Sequence, residues 1–523
     1  MRASIVRSLP ARLRFALTAL VALCLAVMAA ITPTYAQPLP AEPDFAAVDA
    51  YVEAQRQALH IPGLALAIVR GDQVAYMHGY GQAGSDGRAV TAQMPFMIGS
   101  VTKSFTALAI MQLVEAGQLE LDAPVQTYLP WFRVADPQAS AQITVRQLLN
   151  QTSGFSRSLG AQDVLASDLR DVAIEAAVRR LADATLAHAP GTVYEYSNVN
   201  FNILGLIVQT VTGQSYERYL QEQIFDPLEM RQSFTSLDAA AAAGMAGGHL
   251  IWFGMPIPKD LPFNRGGLPS GALICSAEDM AHYLIAQLND GRYGSVSVVS
   301  PQGSAAMHQA AAPITPEISY GMGWYIGQLD GVPAVAHSGD EANFISYVLM
   351  LPTEKLGVVV LTNAQGFTIR NGPSQIAQEV LAVVAGKQPM PYTFRVQELL
   401  TQEVGSVLVP VALALAWIGG TLFHFFRRQR QGLPARRSAG WYGRAVVLPL
   451  IVDLGLLGVL LLGIPWVWGG VPLSMMAAFF AELHTLLMGS AVALGVWGLA
   501  RTLLTLRPAR SPAPAVAQPQ AAP

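Results

Sequence analysis

Beyond residue 400 the chain enters three long apolar stretches, at 404–426, 445–468 and 472–500. Each reaches the ~20 residues that carry a helix across about 30 Å of hydrocarbon. Backbone in lipid has to satisfy its own hydrogen bonds, so these stretches predict three transmembrane helices and leave aqueous chemistry to the residues before them. The loop between the first two, 427–444, holds six arginines and no acid, and the tail, 501–523, adds Arg501, Arg507 and Arg510. By the positive-inside rule the arginine-rich loop and the tail are cytoplasmic, and everything before residue 404 lies outside the cytoplasm.

The amino terminus agrees with that topology. Arg2, Arg7, Arg12 and Arg14 precede an uncharged run from Phe15 to Ile31, and Thr34-Tyr35-Ala36 offers a small-residue cleavage site. Residues 1–36 therefore read as a secretory signal, or as an anchor if the slightly long apolar run stays uncleaved, and the Pro-rich 37–43 as a linker. Cys24 lies in the leader, which leaves Cys275 as a single thiol with no disulfide expected. A net charge of −3 without any basic patch excludes a nucleic-acid partner. The nine histidines show no ligand spacing, so neither a metal nor another cofactor is expected. Asp453, Glu482 and His484 fall inside the apolar stretches, where an ionisable group is either functional or a hydrogen-bonding partner between helices.

The remaining 44–400 reads as one globular domain. Asp44 caps an amphipathic helix carrying Phe45, Val48, Tyr51 and Val52. Two strand-like runs then meet at Gly71-Asp72. Near the far end the pattern returns: runs joined at Asp330-Gly331, others joined across 352–355, and a closing helix from about 374 to 385. Between these ends lie helices and loops. One helix starts at Ser100 and stops at Gly117. Thr144 and Gln147 form a capping box, and a second apolar helix runs from about 199 to Gly213. Hairpins flanking a helical insertion imply an α+β domain, a sheet covered by helices beside a mainly helical lobe.

Chemistry concentrates in three short stretches. Ser100-Val101-Thr102-Lys103 places a serine and a lysine at i and i+3, on one helix face. Only four of the 32 basic residues are lysines, and the other three sit in turn-like stretches. Lysine is the cation that can lose its proton, whereas arginine stays charged. The helix start beside Ser100 offers free amides to a developing anion, and Gly99 lets other backbone approach it. Tyr196-Ser197-Asn198 presents a phenol and an amide at a loop-to-helix junction, and His337-Ser338-Gly339 ends a strand. Taken singly, each stretch also fits an ordinary cap, core or strand end.

Together, S-V-T-K, Y-S-N and H-S-G in this order resemble the serine β-lactamase and penicillin-binding-protein superfamily, in its branch of class C β-lactamases, D,D-carboxypeptidases and related esterases. L-L-N-Q-T-S-G at 148–154, Y-G-M-G-W at 320–324 and V-V-L-T-N at 359–363 are similar to that branch as well. The resemblance covers about 44–385 and implies a five-stranded antiparallel sheet beside a helical lobe. It implies Ser100 as nucleophile, Lys103 and Tyr196 as its activating pair, and Asn198, His337, Ser338 and Gly339 as substrate-binding residues. Backbone N–H groups of Ser100 and Asp340 would serve as oxyanion donors. A lysine and a tyrosine held together can share one missing proton, burial lowering the first and a nearby ammonium lowering the second. Which of the two is the base stays open. His337 stands where relatives often carry lysine, which removes a permanent cation from the cleft, and Gln151 replaces a frequent histidine. The expected activity is cleavage of an amide or ester in a small-molecule or peptide substrate, including cell-wall-derived ones, by a membrane-anchored extracytoplasmic serine hydrolase. The alternative is a catalytically silent envelope sensor or binding module coupled to the spans.

Overall fold

The computed structural model describes residues 43–161, 167–260, 262–390, 402–431, 438–468 and 471–506. The expected leader, most of the linker, the centre of the arginine-rich loop and the tail beyond 506 lie outside the described residues.

The strands that matter here are β1 (Gly63–Arg70), β2 (Gln73–Gly81), β3 (Ala312–Pro313), β4 (Ser319–Tyr320), β5 (Tyr325–Leu329), β6 (Val332–Glu341), β7 (Phe344–Leu351) and β8 (Leu356–Thr362). They form one antiparallel sheet in the order β3-β4-β5-β6-β7-β8-β1-β2. The five strands implied by the family resemblance are thus eight. Three tight hairpins supply six of them, turning at Gly71-Asp72, at Asp330-Gly331 and across 352–355. The other two are two-residue strands, too short to leave an alternating pattern, and the outer one, β3, contains Pro313, a residue tolerated at an edge.

Side chains alternate across this sheet, so each central strand serves two cores. Leu64, Leu66 and Ile68 of β1 pack with Val358 and Val360 of β8 against Val48 and Val52 of α1 (Phe45–Ala58). Ala65, Ala67 and Val69 face the helical lobe, together with Val359 and Leu361. In that lobe α2 (Thr102–Glu115) is buried on nearly every side and packs with α3 (Asn198–Thr212) and α4 (Ala277–Leu288). A helix enclosed in this way turns polar side chains into the interior as well as apolar ones, and Lys103 is one of them. The closing helix α5 (Gly372–Val384) joins α1 on the outer face of the sheet. Gly117 (φ +69°) and Gly213 (φ +67°) end α2 and α3 in the left-handed conformation that glycine adopts without strain.

The carboxy-terminal part contains α6 (Gln402–Gln431), α7 (Ala439–Val467, with π-helical turns at Gly443–Val447 and Val459–Gly463), α8 (Leu473–Phe479) and α9 (Ala481–Leu506). Gly405–Gln431, Ala439–Val467 and Ala481–Leu506 are long and apolar enough to cross a membrane and support membrane association. The expected third span, 472–500, is not one helix. It breaks at Phe480 (φ −139°, ψ 51°), and the globular domain takes up the broken end, Gln365 Nε2 donating to the carbonyl of Phe479 at 2.8 Å. Asp453 bonds between helices: its carboxylate accepts from Trp417 Nε1 at 2.8 Å and pairs with Arg501.

Candidate active site

A one-turn 3₁₀ segment, Gly99–Val101, leads into α2, so Ser100 sits one turn before the α-helix proper. Its backbone entry is unusual. Gly99 has φ +52°, and a Cβ there would lie 2.8 Å from the amide nitrogen of Asp340. A Cβ on Gly339 would lie 1.9 Å from the carbonyl oxygen of Ile98. Two glycines therefore let the end of β6 press directly on the helix start. This contact sets the Asp340 amide against Gly99, the residue before Ser100, and no side chain larger than hydrogen fits between.

Lys103 is the centre of the site. Its side chain is 0% exposed, and its Nζ lies 2.9 Å from Ser100 Oγ, 2.8 Å from Asn198 Oδ1 and 2.5 Å from the carbonyl oxygen of Ser270. Asn198 opens α3, and Ser270 belongs to a short turn of helix at Leu268–Gly271. None of these three partners is an anion. Burial accordingly pushes the amine well below the usual lysine range, and the more distant Glu341 opposes that only in part. Tyr196 lies over the amine, 4.8 Å from Nζ to the ring centroid, and its phenol interacts with Ser100. Burial raises Tyr196 well above its ordinary value, and the neighbouring Tyr325 adds to the effect. The two members of the expected pair thus move apart: the lysine goes down, but the tyrosine goes up, because desolvation outweighs the hydrogen bond with Ser100 and the pull of Arg157.

The strand end divides by its pleat. Ser338 and Asp340 line the cleft. His337 does not; it is fully buried, its Nδ1 donating to the carbonyl of Ser338 at 2.6 Å and its Nε2 facing Tyr320 Oη at 3.2 Å. Burial, with Lys103 second, lowers His337 to about 3 and keeps it neutral. Gly339 is spent on the close approach to Ile98. Ser100, Lys103, Tyr196, Asn198 and Ser338 are thus brought together, while His337 and Gly339 support them from behind.

Other residues complete the site. Gln151 adopts φ +59°, and its Oε1 accepts from the amide of Ser197 at 2.9 Å and from Asn200 Nδ2. It ties the 148–154 loop to the segment carrying Tyr196 and Asn198. A polar residue able to enter the left-handed region was the available signal. Arg157, Arg370 and Glu341 line the same cleft. Burial holds Glu341 up at about 8, Lys103 pulling it down and Asp340 pushing it up. Nothing in the local sequence marks these three, because they arrive from separate elements. Among the described residues no cluster of His, Cys, Asp and Glu could hold a metal.

An antiparallel sheet beside a helical lobe, with a serine and a buried lysine at their junction, defines a β-lactamase-like protein. The beta-lactamase family model matches residues 48–380, and the chain belongs to that family. It is 28% identical to protein flp of Staphylococcus aureus (strain COL) over 459 residues, 84% of this chain and 89% of that one. It is 33% identical to penicillin-binding protein 4 of Amycolatopsis lactamdurans over 354 residues, 65% of this chain and 90% of that one. Among solved structures, the octameric penicillin-binding protein homologue from Pyrococcus abyssi is similar with a TM-score of 0.59 and 29% identity, over 66% of this chain and 78% of that one. The D-alanine carboxypeptidase AmpC from Burkholderia cenocepacia shares the fold, with a TM-score of 0.54 at 22% identity over 65% of this chain and 98% of its own.

Proposed function

We propose that this chain is a membrane-anchored serine hydrolase that cleaves an amide or ester bond through an acyl-enzyme on Ser100. The observation that carries the reading is the hydrogen bonding of Lys103. A neutral amine has two N–H groups and one lone pair. Asn198 Oδ1 and the Ser270 carbonyl are obligate acceptors and take the two N–H groups. The lone pair is then left for the hydroxyl proton of Ser100, 2.9 Å away. With its proton affinity lowered by burial, Lys103 is the base, and Tyr196 stays protonated.

Ser100 Oγ attacks the carbonyl carbon as its proton moves to Lys103. The backbone amides of Ser100 and Asp340 stabilise the oxyanion, each such donor contributing about 2.7–4 kcal/mol. As the bond to the leaving group breaks, the proton passes to that group through the Tyr196 phenol. Water then attacks the ester on Ser100, Lys103 again taking the proton. Asn198 Nδ2 and the Ser338 hydroxyl remain for the substrate's amide-like group. The signal-like leader and the arginine-rich loop support an extracytoplasmic position for this domain.

Covalent labelling by a fluorescent fluorophosphonate or a labelled penicillin, followed by hydrolysis of D-Ala-D-Ala peptides, simple esters and a chromogenic cephalosporin, tests the reading. Wild type should label and turn over at least one substrate class, and Ser100→Ala should do neither. A wild-type chain that resists both probes and hydrolyses nothing in the panel would leave the silent envelope module as the better description.

A further inference from the structure

The cleft above Ser100 is not closed by the globular domain alone. It is a cavity of about 800 Å³, and one of its walls comes from the membrane region: Val467, Trp468, Val471, Met475, Phe479 and Phe480. These residues end α7, form α8 and precede α9, so they mark the boundary between two candidate spans. The wall is attached to the domain at several points. Besides Gln365 on the Phe479 carbonyl, Lys259 Nζ lies 3.4 Å from the Ala478 carbonyl, Trp252 Nε1 donates to Thr485 Oγ1 at 3.2 Å, and the Arg370 guanidinium lies 5.3 Å from the Phe480 ring centroid.

A second observation sets this face against lipid. The hairpin of strands His249–Trp252 and Met255–Pro258 adjoins the start of α9, and its tip leaves Phe253, Met255 and Ile257 51%, 52% and 42% exposed. Large apolar side chains left in the open at such a tip mark a contact with membrane or partner. Here they stand beside the helix that enters the apolar region. Reactive polar groups and an apolar wall from the carboxy-terminal helices thus line one cavity.

We propose that the substrate is amphipathic, with a hydrocarbon chain that enters from the bilayer surface and lies along this wall while its ester or amide carbonyl meets Ser100. The proposal rests on the hydrolase reading above and names the substrate class for that same site. The chemistry is unchanged: the Ser100 oxygen–carbon bond forms, the substrate C–O or C–N bond breaks, the leaving group takes the proton removed from Ser100, and water releases the acyl product.

Two ester series measured on the full chain in liposomes test it, one lengthening the acyl chain of p-nitrophenyl esters from acetyl to dodecanoyl, the other lengthening the alcohol of alkyl esters. In at least one series kcat/KM should rise about fourfold per methylene over the first several carbons, the value for apolar groups leaving water. In Val471→Glu and in Met475→Glu the long-chain to short-chain ratio should fall at least tenfold; because both terms come from one preparation, loss of folded protein cancels. A flat dependence in both series overturns the proposal. So does a steep dependence that neither variant alters, since ester partitioning into the bilayer would then account for it. Absence of all turnover and of fluorophosphonate labelling would instead fail the hydrolase reading itself.

Discussion

Two buried charged groups in this molecule are handled in opposite ways. In the globular domain, Lys103 is enclosed with three neutral oxygens and no adjacent anion. In the apolar bundle, Asp453 is enclosed with Arg501 and the indole of Trp417, and Gly498 leaves the room, since a Cβ there would lie 2.6 Å from Asp453 Oδ2. A buried charge that meets its opposite holds elements together. One that meets only dipoles gives up its charge, and the released lone pair becomes reactive. Burial alone therefore does not mark a functional residue; the partners decide.

The strongest way to break this comparison is to remove the base at 103, once with a permanent cation in its place and once with none. Lys103→Arg and Lys103→Met should both lower the rate of Ser100 labelling by about 10²–10⁴-fold, the range for losing a general base. Retained labelling in Lys103→Arg would mean that charge rather than proton transfer matters there. At the other site, Asp453→Ala strands Arg501 and should destabilise the bundle by about 3–5 kcal/mol, with Asp453→Ala/Arg501→Leu recovering much of that in thermal melts. Gly99→Ala strains a left-handed position and pushes against the Asp340 amide. It should cost about 1–3 kcal/mol of stability and reduce acylation at the same time. The pH profile gives the finest discrimination. A base must be unprotonated, so kcat/KM should rise with pH through an ionisation of Lys103 lying well below the usual lysine range, with Glu341, held up at about 8 in the same cleft, titrating beside it. His337, held at about 3, should add no inflection between pH 5 and 8, and a His337→Gln profile of altered shape would overturn its assignment as a neutral support.

Much of the domain was readable in advance because its signals are local. The hairpins at Gly71-Asp72 and Asp330-Gly331, the Thr144/Gln147 capping box and the glycine stops at 117 and 213 each depend on a few adjacent residues, and each forms as expected. Ser100 and Lys103 were legible for the same reason, one helical turn apart. Less local features were not. The two-residue strands at 312–313 and 319–320 draw their pairing from neighbours in space. The side of β6 that His337 faces depends on register with Phe344–Leu351. The break at Phe480 depends on a glutamine 115 positions earlier in the chain.

By itself, then, the sequence determined that an α+β domain precedes three apolar spans and that a serine and a lysine share a helix face, because periodicity, capping and spacing act over a turn or two. Only the tertiary structure decided that Lys103 has no anion against it, that burial raises Tyr196 and that α8 helps to line the cleft. Desolvation and long-range packing are set by groups hundreds of residues apart, and no local pattern encodes which of them will meet.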